Sequence, residues 1–252
     1  MAHELNFKDG KAAMMYVGEV PWHGLGQRLK HPPTAEQAIV AVAFQNTNAE
    51  KRAEPVLAAL KDTAKDRAAD LLPLLGRLGG TDARKVVRES LASSEPGVHD
   101  AAVIAFSNWP DVGVNEDLLA LAEKGKDGEK LRSLQALIRV NTVLIERTPE
   151  ERVAALGMMK KAMELATRDD EKRAIISGLG FVRHLDTLHY ILPYLDQPAL
   201  AEAACKGIVE LAHSRMLREP NKAEFVKVLN RVMTTSKDKG LVERAKGYRD
   251  AP

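Results

Sequence analysis

"PGVHDAAVIAFSNWPD", residues 96 to 111, sets a histidine beside an aspartate and closes on a Trp-Pro-Asp turn. It reads either as part of an active site or as one unit of an architecture. The spacing of its apolar residues decides between them. Val98, Ala101, Ala102, Ala105 and Trp109 recur at i, i+3, i+4, i+7 and i+11, one stripe along an α-helix. On that helix the side chains of His99 and Asp100 diverge by about 100° and cannot bond as a base and its orienting acid. The expectation for both is a solvated helix face.

Searching outward for similar segments finds six blocks. They are "VLAALKDTAKDRAADLLPLLGRLG" from Val56, "VVRESLASSEPGVHDAAVIAFSNW" from Val86, "LLALAEKGKDGEKLRSLQALIRV" from Leu118, "MMKKAMELATRDDEKRAIISGLGFV" from Met158, "YILPYLDQPALAEAACKGIVELA" from Tyr190 and "FVKVLNRVMTTSKDKGLVERAKGY" from Phe225. Each holds an apolar-periodic segment, a turn rich in Asp, Lys, Pro or Gly, and a second periodic segment. Their starts fall roughly 30 to 40 residues apart, the period of helical-hairpin solenoids. A lone hairpin cannot bury the stripes of both its helices, so each unit needs neighbours. Composition agrees: the 252 residues are 45% hydrophobic, 29% charged and only 4% aromatic, as suits helices packed through small aliphatic side chains.

The pattern resembles the HEAT repeat family over roughly residues 49 to 252. "EPGVHDAAVIAF" carries the likeness best, with an acidic residue and proline at the turn, a valine two residues on, then alanines. His99 stands where that family usually has arginine, which weakens the polar ladder between repeats and leaves the apolar stripe intact. "LLPLLGRLGG", "AFSNWPD", "DDEKRAIISGLG" and "LPYLDQPALAEAA" look like bacterial HEAT-repeat domains that occur as modules in larger proteins. The resemblance implies an all-α solenoid of about six hairpins that serves as a non-catalytic interaction or scaffolding module.

Residues 1 to 46 differ in character. "MAHELNFKDGKAAMMYVGEVPWHGLGQRL" resembles the amino-terminal signature of the phage and plasmid-like family of unknown function DUF932, through "MAHE" and "VPWHGLG", and the likeness stops near Ala43. The simplest reading is a truncated leader joined to a repeat module spanning 47 to 252. "HPPTAEQAIVAVAF" begins a helix, with Thr34 as cap and Gln37 completing a capping box. Its Ile39, Val40, Val42 and Ala43 suit the exposed end of the first repeat, which leaves two arrangements, docked or loosely attached.

Motifs that suggest chemistry fail on spacing. "WPD" also occurs in the acid loop of tyrosine phosphatases, which need arginine six positions after a cysteine, whereas Cys205 is followed at that distance by Leu211. Cys205, the single cysteine, lies in an apolar stripe and reads as a core residue. His184 and His189 are five apart where one helical face wants four, so with Asp186 they form at most an adventitious metal set. HEAT-like deoxyhypusine hydroxylases hold iron through His-Glu pairs; here that dipeptide occurs only as His3-Glu4. Gly24 and Gly26 lack the third glycine of a phosphate-cradling loop, and Trp22 and His23 read as a leader anchor on Leu25. In "RDDEKR", Asp169 or Asp170 is expected to cap a helix. No cofactor or metal is expected.

The formal charge of +2 forces no polyanionic partner, although ten Lys/Arg face five Asp/Glu from His213 onward. The start lacks the apolar core of about 7 to 15 residues that a signal peptide needs, and the run "AIVAVAF" is too short to span a bilayer. A cytoplasmic, monomeric protein is therefore expected. Its expected activity is binding a protein or peptide along the face of the second helices, through His99, Arg132, Gln135, Arg139, Arg173, Ser177, Lys206 and Glu210. Nucleic-acid backbone binding is the runner-up, disfavoured by the charge balance and the few aromatics. An enzyme comes third, since no convergent acid, base and nucleophile emerges.

Overall fold

A computed structural model describes residues 34–62, 68–142 and 147–251. These are 81% helical, with no β-strand among them, and no helix among them is long and apolar enough to cross a membrane. Readings placed on residues 1–33, including His3, Glu4, Trp22, His23, Gly24 and Gly26, lie outside the described residues. Contacts divide the chain into two compact units, one ending at Pro110 and the other beginning at Asp111.

In the first unit α1 (Ala35–Ala43) starts at the expected box: Gln37 N donates to Thr34 Oγ1 at 3.2 Å and Thr34 N to Gln37 Oε1 at 3.0 Å. It lies against α3, burying Ala38 and half-burying Ile39, Val40, Val42 and Ala43, and Glu36 pairs with Arg77 at 2.8 Å. Two hairpins follow, α2 (Glu54–Lys61) with α3 (Ala68–Leu78) and α4 (Thr81–Leu91) with α5 (Pro96–Ser107). Gly79 and Gly80, at φ 74° and 95°, make the reversal between α3 and α4 that a side chain would strain. The second helices α3 and α5 press together so closely that a methyl on Gly76 would overlap the Ala105 backbone, 2.6 Å from its carbonyl carbon. Of the predicted stripe, Ala101, Ala102, Ala105 and Trp109 are enclosed and Val98, in the first turn of α5, is half-buried. Trp109 packs on Phe106, ring centroids 5.7 Å apart.

In the second unit the hairpins are α6 (Asn115–Lys124) with α7 (Asp127–Thr142), α8 (Pro149–Leu165) with α9 (Asp169–Leu179), α10 (Leu185–Ile191, extended by a 3-10 turn to Asp196) with α11 (Ala201–His213), and α13 (Lys222–Thr235) with α14 (Lys239–Asp250). A short α12 (Arg215–Arg218) intervenes. The six sequence blocks therefore fall on six helix pairs. Second helices are neighbours in order, α7 on α9, α9 on α11 and α11 on α14. Where α9 meets α11, a Cβ on Gly180 would stand 2.7 Å from the Gly207 carbonyl oxygen, so only glycine permits the approach. Leu134, Leu137, Ile175, Ile176, Leu179, Ile208 and Leu229 fill the spaces between pairs, each worth about 1.5–3 kcal/mol on burial.

Helix ends are finished by groups that the local sequence only partly announces. Thr148 and Glu151 form a capping box on α8. On α9 neither Asp169 nor Asp170 caps as expected. The half-turn brings Glu171 back instead, and its Oε2 accepts from Thr167 N at 3.0 Å and Arg168 N at 3.1 Å, while Asp170 pairs with Arg168. Two arginines close C-termini from outside their helices: Arg147 donates to the carbonyls of Val140 and Asn141, both at 2.7 Å, and buried Arg218 to Ala212 at 2.6 Å.

Candidate interaction face

Helix α11 shows how the fold selects an outward strip. Ala203, Ala204, Cys205, Gly207, Ile208, Val209, Leu211 and Ala212 are all buried, since α9, α13 and α14 enclose it. What remains outward is Glu202, Lys206, Glu210 and His213, spaced four, four and three residues apart. The same spacing places Arg132, Gln135 and Arg139 along α7, all exposed, and Arg173 and Ser177 along α9, exposed and half-buried. Seven of the eight expected residues thus stand on three second helices packed in succession, α7 on α9 and α9 on α11. Desolvation by the surrounding protein pulls the guanidinium of Arg139 below its usual pKa.

His99 stands on α5, in the first unit, and differs from expectation. It is half-buried and its Nδ1–H donates to the carbonyl of Leu91 at 2.8 Å. Turning toward α4 rather than solvent, it joins the end of one helix to the start of its partner; the carbonyl that α4 leaves unpaired at its C-terminus is the physical reason. Asp100 is exposed, and a carboxylate oxygen of it nevertheless lies within 4.8 Å of a ring nitrogen of His99, closer than the divergence along the helix suggests.

Several residues along the strip escaped the sequence reading. Glu210 pairs with Arg244 at 2.7 Å, and this contact lifts the arginine's pKa. Glu202 accepts from Ser236 Oγ at 2.6 Å and Lys237 N at 3.1 Å. His213 bonds Tyr248 Oη at 2.8 Å, and the guanidiniums of Arg218 and Arg244 stand 5.5 and 6.0 Å from the centre of that tyrosine ring. Between the first helices of the same two hairpins, His189 meets Glu224 at 2.7 Å and Arg231 meets Asp196 at 2.8 Å. Each link between these two pairs spans 34 or 35 residues, a constant register between equivalent positions. The available signal was the four-residue spacing of Glu202, Lys206 and Glu210. A shallow hollow lies between α11 and the start of α14, lined by Glu202, Lys206, Asp238, Gly240, Leu241 and Arg244.

His184, His189 and Cys205, weighed as chemistry, are held as structure. His184 Nδ1 accepts from Asp186 N at 3.2 Å, capping α10, while His189 turns to Glu224. Cys205 is fully enclosed, and burial pushes its thiol up to about 12. Compared with known proteins, the chain matches no family model, no curated protein and no solved structure.

Proposed function

We propose that the chain is a non-catalytic binding module, a HEAT-like solenoid that takes a protein or peptide along the strip of its second helices. The observation that carries the reading is the alignment of Arg132, Gln135, Arg139, Arg173, Ser177, Lys206 and Glu210 on successive packed helices α7, α9 and α11. Stacked rigid helices preorganise such side chains, so a ligand meets them with little ordering cost to the scaffold. The ionisable groups nearest the strip are engaged in joints between pairs, as Glu210 is with Arg244, which suits a surface built to hold its shape.

The test is site-specific photocrosslinking. A photoreactive residue at Gln135 or Ser177 should trap one and the same adduct from extract of the source cells, and one at Lys227, exposed on the first helix α13, should not. Adducts from all three positions alike, or from none, would overturn the reading.

A further inference from the structure

We propose that the open side of α1 is a docking surface for the chain's own residues 12–25, which lie against it as an apolar cover. This surface belongs to the first unit and is independent of the strip in the second. Ala38 is the buried residue of α1, and Ile39, Val40, Ala41, Val42 and Ala43 are all half-buried. Five consecutive residues pass once around a helix, at about 100° each, so α1 is apolar on the side turned from α3 as well as on the side that meets it. No charged residue stands between Glu36 and Glu50. Phe44, just past the last turn, is 45% exposed, with the Arg52 guanidinium 4.5 Å from its ring centre. A helix apolar all round belongs inside a fold, and the end units of a helical stack carry polar outer faces. The exposed face of α8 is polar in this way, through Glu150, Lys160, Lys161 and Glu164. On α1 the corresponding side has valine and alanine, half of a packed joint.

Chemistry and reach choose the occupant. "AAMMYVGEVPWHGL", residues 12 to 25, sets Met14, Met15, Tyr16, Val17, Trp22 and Leu25 against one formal charge, Glu19. Methionine side chains are flexible enough to fill the uneven relief of a valine and alanine surface. Residues 26–33 join this segment to Thr34, and eight residues reach about 26 Å when extended. That is about twice the length of α1, roughly 14 Å for a helix of its size. The tether also decides the competition. A segment held so closely stands at an effective concentration on the order of millimolar, which a second copy of the chain at micromolar concentration does not match.

The experiment treats the full chain carrying Met15→Cys/Ala41→Cys with a short bismaleimide; Cys205 is fully enclosed and takes no part. A crosslink within one chain should form about ten-fold faster than in Met15→Cys/Lys85→Cys, whose second cysteine is exposed on α4 of the same unit. Adding Trp22→Asp should bring the fast rate down to that of the Lys85 pair. Circular dichroism monitors helicity; if Ala41→Cys lowers it, Met14→Cys/Ala43→Cys carries the same test. Equal rates in the two pairs, or no crosslink in either, overturn the proposal. So does a crosslink that joins two chains, which gives the face to a second copy. A fast rate that Trp22→Asp leaves unchanged also overturns it, because nearness along the chain then accounts for the product.

Discussion

Asn115 and Asn141 exchange both of their side-chain amide hydrogen bonds, Nδ2 to Oδ1 at 3.2 Å and 2.8 Å, inside the second unit. Both are buried, and Asn141 also donates to the Leu137 carbonyl at 2.9 Å. The pair ties the first turn of α6 to the last turn of α7, where Arg147 takes up the Asn141 carbonyl.

Removing one partner strands the other in the core. Asn141→Ala should therefore cost about 1–3 kcal/mol in urea unfolding. Asn115→Ala/Asn141→Ala should cost less than the two single losses added together, because neither amide is then left waiting. Strict additivity would show that the reciprocal bond contributes nothing.

Glycines offer a paired comparison. Gly76→Ala drives a methyl into the Ala105 backbone and should destabilise by about 1–3 kcal/mol. Gly157 lies mid-helix in α8, exposed and with open space where its Cβ would go. Gly157→Ala should therefore stabilise by about 0.5–1 kcal/mol. Two thermal melts read the opposite signs, and a shared sign would remove the close-approach argument.

Periodicity carried the helices because burial repeats with the turn of the helix: the alanines of α5 and the small residues of α11 sit inside where their spacing puts them. The Thr34–Gln37 box was legible because a box is closed within four residues. Glu171 was not, because three acids compete at the start of α9 and the winner is the one whose reach matches two free N–H groups. Arg147, Arg218 and the Asn115–Asn141 pair were invisible for a different reason. Each acts across a turn or 26 residues of chain, and no local pattern encodes a contact that only packing creates. The strip was legible from the four-residue spacing of polar residues, but its partners on α14 required the 34-residue register that stacking sets.

Cys205 supplies a pH test. Its thiol ionises near 9 in an open chain and is pushed up to about 12 by burial. Below the lower value both states are protonated and the group contributes no pH dependence. Above it the unfolded chain loses its proton first, so stability should fall as pH rises through that window. Native protein at pH 8 should resist iodoacetamide and react after addition of urea. Rapid labelling without denaturant would show that the thiol is accessible.

The last prediction returns to residues 96–111. Ala102 is fully enclosed, so Ala102→Leu should overpack the seam around α5 and cost about 1–3 kcal/mol. His99 looks outward by spacing alone, and on that basis its removal would be nearly neutral. Its bond to the Leu91 carbonyl at 2.8 Å changes the expectation. His99→Ala should cost about 0.5–1.5 kcal/mol, the net worth of one hydrogen bond. The two losses should also differ in place. His99 joins the ends of one hairpin, so its loss should loosen amides at the α4–α5 turn, whereas overpacking at Ala102 should spread into α3, against which α5 rests. Hydrogen exchange on both variants distinguishes them. A His99→Ala protein as stable as the parent, with unchanged exchange near Leu91, would return that histidine to the solvated face that its position beside Asp100 first suggested.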